Sequence, residues 1–131
     1  MMNRQYLTTN YIPLATTRHD RIFKHIKVIV AGDDPAILNG KPAPDIYIEA
    51  AKRLGVDPKD CLVFEDALSG VQSGKAAGCH VVAIPDPRFS EVDLRSYTKE
   101  GADVVLRTLR DFDGTKLGID VNMANKNNVI S

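Results

Sequence analysis

Residues 61–86 read CLVFEDALSGVQSGKAAGCHVVAIPD, and this stretch decides the fold. Two apolar runs, 61–64 and 81–84, flank a segment of small and polar residues that is compatible with a helix. Neither run alternates between apolar and polar side chains, which is typical of parallel strands covered on both faces. Strands and helices in alternation predict an α/β doubly wound, Rossmann-like parallel sheet.

Similar elements are expected upstream of this stretch. The apolar run Lys27–Val30 predicts a first strand. A helix is expected to begin near Pro44, whose missing N–H costs nothing in a first turn, and to end at Gly55, a suitable left-handed cap. Ser69 is predicted to cap the helix between the two central strands.

Downstream, a short helix near 91–97 and a last strand over 103–106 complete the pattern. The following segment contains Gly114 and four asparagines and shows no clear apolar period. Residues 1–113 are therefore predicted to form one core domain, and residues 114–131 a loose C-terminal tail.

Composition and charge exclude several classes of function. Among 131 residues, 17 basic and 17 acidic side chains cancel, so no global field attracts nucleic acid or an anionic membrane. Cys61 and Cys79 lie in or next to apolar runs and are predicted to be buried free thiols. No apolar stretch approaches membrane-spanning length, so a cytoplasmic protein is expected.

Polar residues follow the predicted strands, where open α/β sheets bind ligands. These are Asp33-Asp34, Glu65-Asp66 and Asp86. Two adjacent carboxylates are costly to bury unless a cation is present, and Mg²⁺ takes carboxylate oxygens readily. The alternative is a strand end that meets solvent, with Asp66 helping to cap the next helix.

Lys41 lies in the loop before these carboxylates, between Gly40 and Pro42. A fixed lysine opposite an acidic pair suits a phosphate ligand, because it offsets charge that grows during phosphoryl transfer. Taken alone, the same lysine fits an exposed loop position.

In combination, these motifs resemble the later signatures of the haloacid dehalogenase superfamily in order and spacing. The motifs are KPAPD at 41–45, CLVFED at 61–66, SGV at 69–71 and AAG at 76–78. Within the superfamily, AGDDP at 31–35, NG at 39–40 and LRDF at 109–112 are similar to the pseudouridine-5′-phosphatase group. The resemblance covers residues 11–119.

This resemblance implies a Mg²⁺-dependent phosphomonoester hydrolase that acts on a small phosphorylated metabolite, such as a nucleotide or sugar phosphate. It implies that Lys41 is a catalytic residue that binds phosphoryl oxygens, that Asp66 is a metal ligand, and that Glu65 helps to orient the metal shell. Thr16 falls at the phosphate-binding position in one register. In a second alignment with the family, Thr16 corresponds to a position further along the chain of the relatives. The segment that contains their phosphate-binding Ser or Thr would then be missing from this sequence.

The chain departs from the family in two respects. Residues 1–40 contain neither the nucleophilic Asp-x-Asp pair followed by Gly-Thr nor the helical cap domain. An incomplete core without the cap, inactive alone, is therefore expected. Asp111-Phe112-Asp113-Gly114-Thr115 spells the missing motif at the other end, so a circular permutant stays open, although the residues before it do not form an apolar strand.

Two alternatives come from other classes of protein. A signalling receiver module would use Asp33-Asp34 as its acidic start and Asp66 as its phospho-acceptor. A non-catalytic partner of a full-length relative would associate through exposed sheet edges and apolar surface.

Overall fold

The computed structural model describes Arg21, Lys24, residues 26–118 and residues 129–130. They form helices α1 (Asp45–Leu54), α2 (Leu68–Ala76) and α3 (Glu91–Lys99), and strands β1 (Leu62–Glu65), β2 (His80–Ala83), β3 (Val104–Val105) and β4 (Val129–Ile130). Short 3₁₀-helices lie at Pro58–Asp60, Leu109–Asp111 and Gly114–Leu117. Over these ranges, the helices are too short and too polar for any of them to cross a bilayer.

The strands form one parallel sheet in the order β3-β2-β1-β4. Glu65 is in register with Ala83, so the carboxyl ends of β1 and β2 meet at the same edge. The predicted α/β parallel-sheet class is confirmed. β1 and β2 each lie within one residue of the predicted runs, because a continuous apolar run identifies a buried strand directly.

Helix α2 packs closely on the sheet at a glycine. A Cβ atom on Gly74 would lie 2.8 Å from Cγ2 of Val81 and 3.5 Å from Cγ1 of Val63, so a larger residue would push the helix away. Val63 and Val81 are fully buried, together with Val71 of the helix. The core therefore lies between this face of the sheet and the helices.

Helix α1 follows its sequence prediction. It begins after Pro44 and ends at Gly55, whose φ of 72° is the left-handed cap conformation, and it buries Tyr47, Ala50 and Ala51. The prediction for α2 was wrong at one residue. Ala67 occupies the N-cap with extended backbone and no side-chain hydrogen bond, so Ser69 lies in the first turn.

The predicted first strand is also wrong. Lys27–Val30 adopts no regular structure, and the side chain of Ile29 is exposed. An apolar run forms a strand only if it can pair with an unpaired side of another strand. Both sides of β1 are already paired, one with β2 and the other with β4.

Two short elements lie within the predicted C-terminal tail. Gly114–Leu117 forms a 3₁₀-helix, and β4 pairs in parallel with Leu62 and Val63. The domain boundary at residue 113 stays a prediction.

The prediction of two buried free cysteines is confirmed. Cys61 immediately precedes β1 and Cys79 precedes β2, and both belong to the core. Burial raises the pKa of both thiols, that of Cys79 to about 11.

Candidate active site

Lys41, Tyr47 and Glu65 meet at the carboxyl edge of the sheet. The Lys41 ammonium and the Tyr47 hydroxyl both donate hydrogen bonds to Oε1 of Glu65. Lys41 Nζ also donates to the Tyr47 hydroxyl at 3.2 Å. Glu65 is only 2% exposed, whereas the Lys41 side chain is 22% exposed. The cluster therefore combines a buried carboxylate with a lysine side chain that is partly exposed to solvent.

A glycine makes room for this buried carboxylate. A Cβ atom on Gly70 would lie 2.0 Å from Oε2 of Glu65 and 2.1 Å from its Cδ, which are impossible contacts. The first turns of α2 therefore lie against the Glu65 side chain, where helix N–H dipoles favour negative charge.

Two side chains outside the loop hold Lys41 in position. Ser73, fully buried on α2, donates to the carbonyl oxygen of Ala43 at 2.6 Å. Asp45 accepts from the Asn39 backbone N–H at 2.9 Å and from its side-chain amide at 3.3 Å. The loop is thus fixed on both sides of Lys41, whose peptide bond to Pro42 is cis.

Asp66 follows Glu65 but has a different environment, since it is exposed. Its backbone carbonyl accepts a hydrogen bond from the hydroxyl of Tyr97 at 3.0 Å. Burial raises the pKa of the Tyr97 hydroxyl, and the Asp66 charge raises it further. Tyr97 thus fixes the Asp66 backbone at the strand end.

The described residues do not by themselves fit a Mg²⁺ site. Asp66 offers one exposed carboxylate, but Oε1 of Glu65 accepts from Lys41 and Tyr47. No group of three His, Cys, Asp or Glu side chains suited to a metal ion occurs within the described ranges. The predicted roles of Asp66 as a metal ligand and of Glu65 in orienting the metal shell stay predictions, and the contacts of Glu65 favour a role in anchoring Lys41.

Asp34, one of the polar residues predicted to follow a strand, forms an ion pair with helix α1. Oδ2 of Asp34 pairs at 2.8 Å with Arg53, in the last turn of α1. Tyr47, in the first turn of the same helix, contacts Glu65. The receiver hypothesis would instead use the Asp34 carboxylate in an acidic site with Asp66, and in this structure that carboxylate is paired with Arg53.

The Asp-x-Asp sequence at 111–113 packs against the sheet through its central residue. Phe112 contacts Phe64 in a T-shaped arrangement with ring centroids 4.9 Å apart. Since side chains alternate along a strand, Phe64 and Glu65 point to opposite faces of β1. Asp113 is exposed and accepts from the backbone N–H and hydroxyl of Thr115. These contacts disfavour the permutant.

Of the remaining predicted site residues, Thr16 lies outside the described residues. Sequence reasoning missed Tyr47 and Ser73 as site residues. Tyr47 was assigned to the apolar face of its helix, and Ser73 gave no signal, because its hydrogen bond reaches 30 residues along the chain. A hydroxyl on an otherwise apolar helix face was the signal available for Tyr47.

Comparisons of the sequence with known proteins point to one family. Residues 5–78 match the model of the haloacid dehalogenase-like hydrolases. The mitochondrial (DL)-glycerol-3-phosphatase 1 of Arabidopsis thaliana is 43% identical over 114 residues, covering 85% of this chain and 37% of the relative. A probable pseudouridine-5′-phosphatase of Drosophila melanogaster is 42% identical over 111 residues, covering 82% and 46% respectively.

A solved structure supports the same relationship. The HAD hydrolase of family IA, variant 3, from Entamoeba histolytica superposes with a TM-score of 0.69 at 26% identity, covering 84% of this chain and 48% of that one. The chain thus spans less than half the length of each of these three proteins.

Proposed function

This chain belongs to the haloacid dehalogenase-like hydrolases, and on that basis we propose that it carries the phosphate-binding half of a phosphomonoester hydrolase site. The observation that carries the proposal is the cluster of Lys41, Tyr47 and Glu65 at the carboxyl edge of a parallel sheet. This is the edge at which α/β sheets bind ligands.

In this proposal Lys41 binds the phosphoryl oxygens of the substrate. Its side chain is partly open to solvent, while its ammonium is held by the buried carboxylate of Glu65. Tyr47 and the Ser73–Ala43 hydrogen bond limit the movement of Lys41, so little reorganisation is needed when negative charge grows on the phosphoryl group.

A complete site is proposed to bind Mg²⁺, as phosphatases of this family do. Within the described residues, the exposed carboxylate of Asp66 could supply one ligand, and the other ligands would have to come from groups outside this cluster.

We further propose a nucleotide or sugar phosphate as the substrate, by analogy with the pseudouridine-5′-phosphatase relative. The chain alone is proposed to be inactive, since the Asp-x-Asp pair of the sequence lies at 111–113 and packs by Phe112 on the face of β1 opposite Glu65. A cytoplasmic location, without nucleic-acid or membrane partners, completes the proposal.

The direct test is phosphate binding, measured by calorimetry of the full chain with inorganic phosphate in the presence of Mg²⁺. We expect saturable binding that falls at least tenfold in Lys41→Gln. Lys52→Gln is the matched control, because it removes an equal charge from an exposed side chain that pairs only within α1, with Glu49. Ser73→Ala retains the ammonium but releases its loop, and we expect an intermediate loss. Equal affinity in wild type and Lys41→Gln would overturn the proposal.

Hydrolysis of p-nitrophenyl phosphate tests the proposed inactivity. We expect no turnover by the chain with Mg²⁺. Turnover that Asp113→Asn abolishes would instead establish the permuted site.

A further inference from the structure

Asp86 and Arg88 form a bidentate ion pair, here called the fork, just after β2. Nε and Nη2 of Arg88 donate to the two carboxylate oxygens of Asp86 at 2.9 and 2.7 Å, and the Arg88 backbone N–H donates to Oδ1 at 2.9 Å. The Asp86 side chain is 13% exposed, whereas that of Arg88 is 85% exposed. A mostly covered carboxylate thus orients a guanidinium that projects into solvent.

The fork lies at the same edge of the sheet as the phosphate-binding cluster. The backbone N–H of Ile84 donates to the carbonyl oxygen of Glu65 at 2.6 Å, which joins the two strand ends directly. Asp86 is two residues beyond Ile84, and Asp66 is one residue beyond Glu65. Both segments therefore leave the sheet from neighbouring parallel strands at the same carboxyl edge.

The geometry of the guanidinium leaves one pair of donors directed outward. Asp86 takes the side of the group that carries Nε and Nη2. Because the guanidinium is planar, the end formed by Nη1 and Nη2 points away from Asp86 with two parallel N–H groups. This end can bind two neighbouring acceptor oxygens at once.

The charge of the fork indicates which acceptors it favours. Asp86 cancels the charge of Arg88, so the pair offers directed donors with little net attraction for a second anion. Neutral hydroxyl or carbonyl oxygens therefore suit it better than a second phosphate or a carboxylate.

We propose that Arg88 is a specificity-determining residue that binds adjacent neutral oxygens in the organic part of the phosphomonoester. The inference rests on the proposed function, because the phosphate must first be held by Lys41. It adds a second contact point, which selects the leaving group.

Three probes separate these two contacts: inorganic phosphate, ethyl phosphate and ribose 5-phosphate. We expect the wild-type chain with Mg²⁺ to bind ribose 5-phosphate about tenfold more tightly than ethyl phosphate, from two additional hydrogen bonds. Arg88→Gln should abolish this preference and leave the dissociation constants of inorganic phosphate and ethyl phosphate within about twofold. Arg88→Lys should also lose the preference, because an ammonium lacks the paired donors.

The control is Arg95→Gln, which removes an equal charge from an exposed position on α3 and should retain the preference. If phosphate and ethyl phosphate bind but the preference for ribose 5-phosphate is absent or survives in Arg88→Gln, the inference on Arg88 is wrong and the phosphate site stands. If the wild-type chain binds none of the three probes, the proposed function itself fails.

Discussion

At the residue scale, Lys41 and Glu65 form an ion pair whose members differ in depth. The carboxylate is completely covered, whereas part of the lysine side chain is reached by solvent. A buried pair is costly to break because the remaining charge loses its partner in a medium of low polarity. The cost of a substitution here therefore depends on which charge is left behind.

We predict that Lys41→Gln destabilises the chain more than Glu65→Gln. Loss of Lys41 leaves a buried carboxylate, and we expect the free energy of unfolding to fall by about 3 kcal/mol. Loss of the Glu65 charge leaves an ammonium that can turn to water, while the new amide oxygen still accepts from Tyr47, so we expect about 1–2 kcal/mol. Urea denaturation measures both values. If the free energy of unfolding fell equally in both variants, or fell more in Glu65→Gln, the conclusion that Glu65 is the more deeply buried partner would be contradicted.

At the element scale, α2 is the helix that joins the core to the site. Gly70 lies against the Glu65 carboxylate and Gly74 against Val81, one helical turn apart. Ser73, between them, holds the Lys41 loop. One helix face thus sets the positions of the buried charge, the sheet and the lysine together.

We predict that alanine at either glycine weakens the fold, although alanine favours a helix by about 1 kcal/mol. Gly70→Ala should cost more and should also abolish phosphate binding, because its Cβ overlaps the Glu65 carboxylate. Gly74→Ala should lower the melting temperature with less effect on binding, since its closest contact is the tip of Val81. Thermal unfolding and phosphate calorimetry test this ordering.

Ser69→Ala is the control for this helix, because Ser69 makes no cap in the structure. We expect its melting temperature to match that of wild type. A loss of about 1 kcal/mol, the usual value of a capping residue, would instead support the cap predicted from the sequence.

Elements differ in how well the sequence predicts them. Both central strands and α1 were predictable because their signals are local: continuous apolar runs, Pro44 before a helix and Gly55 after it. The run Lys27–Val30 carries the same local signal and forms no strand, since pairing depends on which distant edge is open. The expected place of Asp34 was inferred from the end of that strand, so it rested on the same local signal.

At the scale of the whole molecule, the candidate site was predictable in its parts but not in its contacts. The sequence places Lys41 and Glu65 in one ligand site on the strength of motif order. It does not show that they bond directly, because the contact spans 24 residues and depends on how α1 and α2 pack. The hydroxyls of Tyr47 and Ser73 act across the same packing, so local patterns did not identify them.

A buried thiol in the core is expected to make the protein less stable at alkaline pH. Burial, and then the neighbouring Cys61 charge, raise the pKa of the Cys79 thiol to about 11, from about 8.5 in the unfolded chain. Between these values the unfolded state binds fewer protons than the folded state, so stability falls as pH rises. The slope from this thiol is at most about 1.4 kcal/mol per pH unit.

Urea denaturation of wild type and Cys79→Ala between about pH 8 and pH 11 isolates this effect, since all other titrating groups are common to both. We expect the difference in stability to shrink as pH rises. If stability changed with pH in the same way in both chains, the pKa of the Cys79 thiol would not be raised in the folded state.

The arrangement of the half-site along the chain has a consequence for its evolution. Its members, from Lys41 through Tyr47, Glu65 and Ser73 to Arg88, come from one uninterrupted segment of sequence. A gene fusion, exon loss or recombination event with its breakpoints outside residues 41–88 would transmit them as one heritable unit.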